Sequence, residues 1–141
     1  MGHCYNSVVI NAPTDKVWNM IKDFHSLSWG EPVITKLEKL NDLPGSEVGA
    51  QRRLNEAFCE TLLTINHDHC TFSYSIDDGP GPVAKEAVNN YIGQVSLRPI
   101  TDTGDTFIEW SSTFESATPD EVTEFCNPIY AALLEALKGR F

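Results

Sequence analysis

Positive charge is scarce in this sequence. Ten Lys and Arg stand against twenty Asp and Glu, for a net charge of −10. A field of that sign repels phosphate backbones and anionic bilayers, so nucleic acid is set aside as a partner. Long apolar runs are missing too: nothing approaches the ~20 residues of a membrane-spanning helix, and no membrane insertion is expected. Polar Asn6 and Asn11 flank the N-terminal apolar patch Val8-Val9-Ile10, so the start does not read as a signal peptide. The chain opens Met1-Gly2 but carries Asn6 where myristoylation needs Ser or Thr. None of the four cysteines (Cys4, Cys59, Cys70, Cys126) forms a CxxC pair, and reduced thiols in a cytoplasm are expected. Repeats, low-complexity tracts and long linkers are absent, as are HExxH, Walker and Ser/His/Asp patterns, so neither a cofactor nor a metal is expected.

What is present is ordinary globular composition, 41% hydrophobic over 141 residues, enough for one domain spanning 1–141. Residues 4–10 read as a strand. Pro13 and Asp15 suit a helix start, and Val17, Trp18, Ile21 and Phe24 follow helical spacing. FHSLSW, 24–29, reads as a second short helix or turn. VITKLEKL, 33–40, alternates as a half-buried strand does, and further strands are predicted near 48–54, 58–66, 70–77, 89–98 and 106–115. The short connections make the sheet antiparallel. Thr118-Pro119-Asp120-Glu121 has the form of a capping box. It leads a helix whose stripe runs Val122, Phe125, Cys126, Ile129, Leu133, Ala136, Leu137, with Pro128 inside it. The predicted fold is α+β: a curved seven-stranded antiparallel sheet wrapped around a long C-terminal helix, with two short helices after strand 1. Such a sheet tends to leave a hollow.

That order, together with SVVINAPTDKVWNMIKDF, VGAQRRL, ETLLTI, NNYIGQVSLRPI and FIEWSSTFE, resembles the START-like (helix-grip) superfamily, and within it the polyketide cyclase/dehydrase family. The resemblance covers nearly the whole chain and implies a cavity between sheet and C-terminal helix. Superfamily members bind lipids, hormones or polyketides there, and some are cyclases or hydratases; fold alone does not choose among them.

Arg52, Arg53 and Glu60 lie on consecutive strands. A three-residue loop, Asn55 to Ala57, sets Arg52 opposite Glu60; a two-residue loop sets Arg53 there, and one residue of slip flips the face. The pair is either a solvated ion pair or part of a cavity wall. In plant abscisic-acid receptors, which this stretch resembles, an Arg and a Glu in the pattern VGxxR and ExL line the pocket; here these are Arg52 and Glu60. The receptors' proline-bearing gate loop and anchoring lysine are not matched, where Asn55-Glu56-Ala57 and Gly30-Glu31-Pro32 stand instead. Tyr91 follows Asn90 as in those receptors, and reads equally as a core or a pocket residue. Phe72, Tyr74 and Ile76 form one apolar strand face. Glu109 and Trp110 conflict: alternation turns Trp110 inward, the resemblance puts a polar residue in the cavity at Glu109, and a bulge would accommodate both. Trp29, Phe125 and Ile129 complete the candidate ligand-binding set. His67-Asp68-His69-Cys70 sits at a hairpin tip where side chains diverge, and reads as a polar turn rather than a metal site.

The expected function is binding of a small hydrophobic molecule, a lipid, polyketide or similar, as carrier or sensor. The alternatives are a cyclase or dehydratase using a cavity carboxylate and arginine, and a co-chaperone-like interaction module. DDGPGPVAK, 77–85, looks like a phosphate loop, but Pro80 and Pro82 delete alternate N–H donors. It reads instead as a rim or lid near the cavity mouth.

Overall fold

The structure, a computed structural model, describes residues 1–141. Seven strands, β1 (Gly2–Ile10), β2 (Leu37–Lys39), β3 (Gln51–Leu54), β4 (Phe58–Asn66), β5 (Thr71–Asp78), β6 (Val88–Pro99) and β7 (Thr106–Ser116), form one antiparallel sheet in the order β1-β7-β6-β5-β4-β3-β2. Helix α1 (Thr14–Ile21) follows β1, and the long helix α2 (Pro119–Lys138) closes the chain. This is the predicted helix-grip arrangement.

Alternation decides the faces. Along β7, Ile108, Trp110, Ser112 and Phe114 are buried while their neighbours are not; β5 does the same with Phe72, Tyr74 and Ile76. The buried stripe of α2 is Val122, Cys126, Tyr130, Leu133, Leu134 and Leu137. Phe125, Ile129 and Ala136 stand at its half-buried flank, so the stripe is turned from the predicted one to centre on Tyr130. Pro128 and Glu124, the residue whose carbonyl loses its N–H partner, both lie on the exposed side.

Several boundaries shift for identifiable reasons. The strand expected over 33–40 shrinks to Leu37–Lys39, because the Asn55 side chain takes the backbone groups before it: its Oδ1 accepts from Thr35 N (2.8 Å) and Lys36 N (3.2 Å), and its Nδ2 donates to the Val33 carbonyl (2.9 Å). The second short helix is a single 3-10 turn, Ser28–Gly30. The capping box does not form: Thr118 makes no side-chain cap bond, and Glu121 N finds the Thr118 backbone carbonyl instead.

Candidate functional site

The hairpin between β3 and β4 decides the register. Asn55 and Glu56 both adopt the left-handed region, at φ 53° and 56°, and close a three-residue loop that pairs Leu54 with Phe58 and Arg52 with Glu60. Arg52 therefore faces inward; Arg53 faces out and pairs with Glu38 on β2 at 2.7 Å. Arg52 Nε donates to Glu60 Oε1 at 2.8 Å, Nη2 lies 2.7 Å from the same oxygen, and Nη1 donates to the Phe24 carbonyl at 2.9 Å. The guanidinium rests 3.7 Å from the Phe24 ring centre. Arg52 is 3% exposed and Glu60 5%. Burial pushes the Glu60 carboxyl above its usual range, and the Arg52 charge and hydrogen bond pull it back. Glu60 Oε2 takes no hydrogen bond from the protein.

Beside this pair runs a buried polar chain. Trp110 Nε1 donates to Tyr74 OH (2.9 Å), Tyr74 OH to Tyr130 OH (3.1 Å), Tyr130 and Tyr91 share a hydroxyl contact, and Tyr91 OH donates to Ser112 Oγ (3.0 Å). Gly93 makes room for it, since a Cβ there would fall 2.3 Å from Tyr74 Cζ. Burial raises the three phenols above the ordinary tyrosine range, so all stay protonated. Cys126 and Cys4 meet next to this chain as buried free thiols; the hydrogen bond to Cys4 and burial push Cys126 up.

These rings fill most of the expected hollow. The cavity left between sheet and α2 measures about 30 Å³, lined by Ile34, Phe58, Glu60, Ile76, Cys126, Ile129 and Tyr130. At the ~10–15 Å³ a water needs, it takes about two water-sized groups. Of the predicted residues, Glu60, Ile76 and Ile129 line it. Arg52 stands behind Glu60, and Phe125 stacks on Phe58 at the edge, 6.3 Å between ring centres. Tyr74, Tyr91 and Trp110 form the wall behind Tyr130. Phe72 packs away from it, against Trp18 and Phe24, and Trp29 lines a separate surface depression with Met20, Ser28, Glu31 and Arg140. Glu109 is not in the cavity: no bulge interrupts β1–β7 pairing, plain alternation turns Trp110 in, and Glu109 accepts a hydrogen bond from Tyr5 OH (2.6 Å) on the outer face. At the 66–70 tip, His67 Nδ1 accepts from Trp18 Nε1 (3.1 Å) and Cys70 Sγ donates to the His67 carbonyl (3.5 Å).

Sequence reasoning missed Tyr130, Cys126, Phe58 and Ile34 as lining residues. Tyr130 was legible as the residue four beyond Cys126 and eight beyond Val122. The DDGPGPVAK segment folds against this edge: a Cβ on Gly79 would lie 3.4 Å from Phe58 Cδ2, and Val83 is wholly buried.

A family model described as polyketide cyclase/dehydrase and lipid transport matches residues 1–141. The chain belongs to that family. Among solved structures, a protein from Nitrosospira multiformis is 39% identical with a TM-score of 0.96, over 99% of this chain and 95% of that one. XoxI from Bacillus cereus is 27% identical with a TM-score of 0.82, over 100% and 96%. Ara h 8.0201 shares the fold at 17% identity and a TM-score of 0.76, over 98% and 95%. No match was found among curated proteins. Membership of the cyclase/dehydrase and lipid-transport family, on a START-like helix-grip fold, supports a hydrophobic-ligand-binding role in general. No helix of this family member is long and apolar enough to cross a membrane.

Proposed function

We propose that this protein binds a small, largely apolar molecule at the cavity between sheet and α2, as a carrier or sensor. One observation carries the reading: a buried Arg52–Glu60 ion pair leaves one carboxylate oxygen unpartnered at an otherwise apolar cavity. Burying two charges costs several kcal/mol per ion, and apolar side chains of equal volume would serve packing as well or better. An apolar pocket with one orienting polar group is the usual form of a small-molecule site. The cavity holds a head group, and the rest of the ligand leaves past Ile34, Phe58 and Ile129. The exposed large apolar side chains within the chain fall in three places, Tyr5 and Val9 on β1, Leu40 and Val48 in the β2–β3 connection and Ile92 on β6, which lends no support to a co-chaperone-like module.

The test is titration with the neutral probe N-phenyl-1-naphthylamine, alongside native mass spectrometry of the purified protein. Wild type is expected to enhance probe fluorescence, and Ile129→Phe, which fills the cavity without overfilling it, to abolish the enhancement while keeping the thermal midpoint. Equal signals from both proteins would sink the reading.

Enzymatic cyclisation or dehydration is a second reading, favoured by Glu60 alone: a cavity carboxylate displaced from its ordinary titration suits proton transfer. Arg52 would not polarise a substrate carbonyl, because it stands behind Glu60 and is not among the residues that line the cavity. A co-purified molecule whose mass changes on incubation with wild type, and not with Glu60→Gln, would establish turnover.

A further inference from the structure

The hydrogen-bond directions around the cavity restrict what a ligand can present there; this inference rests on the binding reading above. Trp110 Nε1 can only donate, so Tyr74 OH accepts from it and gives its own proton to Tyr130. Tyr91 OH gives its proton to Ser112, so the contact between Tyr130 and Tyr91 is made by the Tyr130 proton. The Tyr130 hydroxyl thus has no proton to offer a ligand. Cys126, the other polar lining residue, carries a thiol, which is only a weak donor. Glu60 offers the lone pairs of Oε2. Arg52 stays charged at any ordinary pH, and a neutral Glu60 would leave it a lone buried cation, so the two are held as an ion pair. The cavity therefore presents one strong hydrogen-bond acceptor, Glu60 Oε2, and no strong donor, inside walls of Ile34, Phe58, Ile76 and Ile129.

We propose that this site selects an apolar molecule by a hydroxyl head group donated to Glu60 Oε2, and rejects carboxylates. A carboxylate would bring a second anion against Glu60 with nothing to donate to it. An ether or ester leaves Oε2 unpaired once water is displaced, which costs more than the bond itself contributes. An ammonium would add a second cation beside Arg52 in a cavity sized for about two water-like groups. A hydroxyl is neutral, fits that space and supplies the one missing proton.

The test is displacement of N-phenyl-1-naphthylamine at pH 7 by three probes of like length: 1-decanol, 1-methoxydecane and decanoate. The expected result is that 1-decanol binds at least about tenfold tighter than either of the others, in line with the penalty for leaving a buried acceptor unpaired. In Glu60→Gln, whose amide can donate, decanoate is expected to gain and the alcohol to lose its advantage. A purely structural Glu60 would weaken all three probes together. If the three bind wild type equally, or decanoate binds best, the head-group inference is overturned while the binding reading stands. If none displaces the probe and the probe itself does not bind, both fall. The wild-type panel decides the matter even if Glu60→Gln fails to fold.

Discussion

Gly93 shows how little slack the interior has at the scale of single residues. Tyr74 lies across it, so Gly93→Ala drives a methyl into the phenol and displaces the hydroxyl that links Trp110 to Tyr130. Overpacking of this kind costs about 1–3 kcal/mol, and urea unfolding is expected to show a loss in that range. The Arg52–Glu60 pair behaves differently. Arg52→Met strands a buried carboxylate and is expected to cost about 3–5 kcal/mol, whereas the double variant Arg52→Met, Glu60→Leu should recover most of it. A double variant no more stable than the single one would mean that the Phe24 contacts of Arg52, not its charge, dominate. The sequence named both partners but left Arg52 and Arg53 as alternatives. What separates them is the positive φ of Asn55 and Glu56, which neither residue type announces as glycine would. Glu109 and Trp110 stayed together as candidates because a bulge would have accommodated both, and β7 pairs with β1 without one. Tyr130 fits the helix stripe by spacing, but its polar role shows only once its two hydroxyl partners on the sheet, Tyr74 and Tyr91, are known.

Among the elements, the 77–88 connection is tied across its two ends by one carboxylate. Asp78 Oδ1 accepts from Gly79 N (2.9 Å) and Lys85 N (3.0 Å), clasping both ends of the Pro-Gly turn. The Lys85 and Gly79 amide bonds hold Asp78 below its usual carboxylate range. A depressed folded pKa means that the clasp stabilises fully above the unfolded value, ~3.9, and is lost as pH falls through the lower folded one. Hydrogen exchange read at the Lys85 amide is expected to show protection near neutral pH, diminishing below pH ~4, and Asp78→Ala should expose that amide at every pH. Protection surviving in Asp78→Ala would assign the loop's order to buried Val83 instead. Strand and helix identities were legible because period-2 and 3.6 patterns are strong in β5, β7 and α2. The start of β2 was not, since a side chain about twenty residues away, Asn55, takes the backbone groups that precede it.

For the whole molecule, α2 is fastened along one edge and packed along the other. On the β1 side, Asn127 Oδ1 accepts from Tyr5 N (3.3 Å) and Asn6 Nδ2 (3.0 Å), Thr123 Oγ1 donates to the His3 carbonyl (2.9 Å), and beyond the helix Arg140 binds the Ser28 and Trp29 carbonyls. Toward β4 and the 79–87 segment α2 makes no hydrogen bond; the Phe58–Phe125 stack and Ile129 close that edge beside the cavity. An interior with room for only a head group has to part somewhere to admit more, and an edge of apolar contacts opens without stranding polar groups. An aromatic pair contributes ~0.5–1.5 kcal/mol beyond its area, so Phe125→Ala is expected to speed probe association by about 2–10-fold in stopped-flow fluorescence. Asn127→Ala, cut from the fastened edge, should lower the thermal midpoint and leave that rate unchanged. The reverse pattern, faster uptake in Asn127→Ala and none in Phe125→Ala, would place the opening between β1 and α2, and Phe58 would then be a closed wall rather than the mouth.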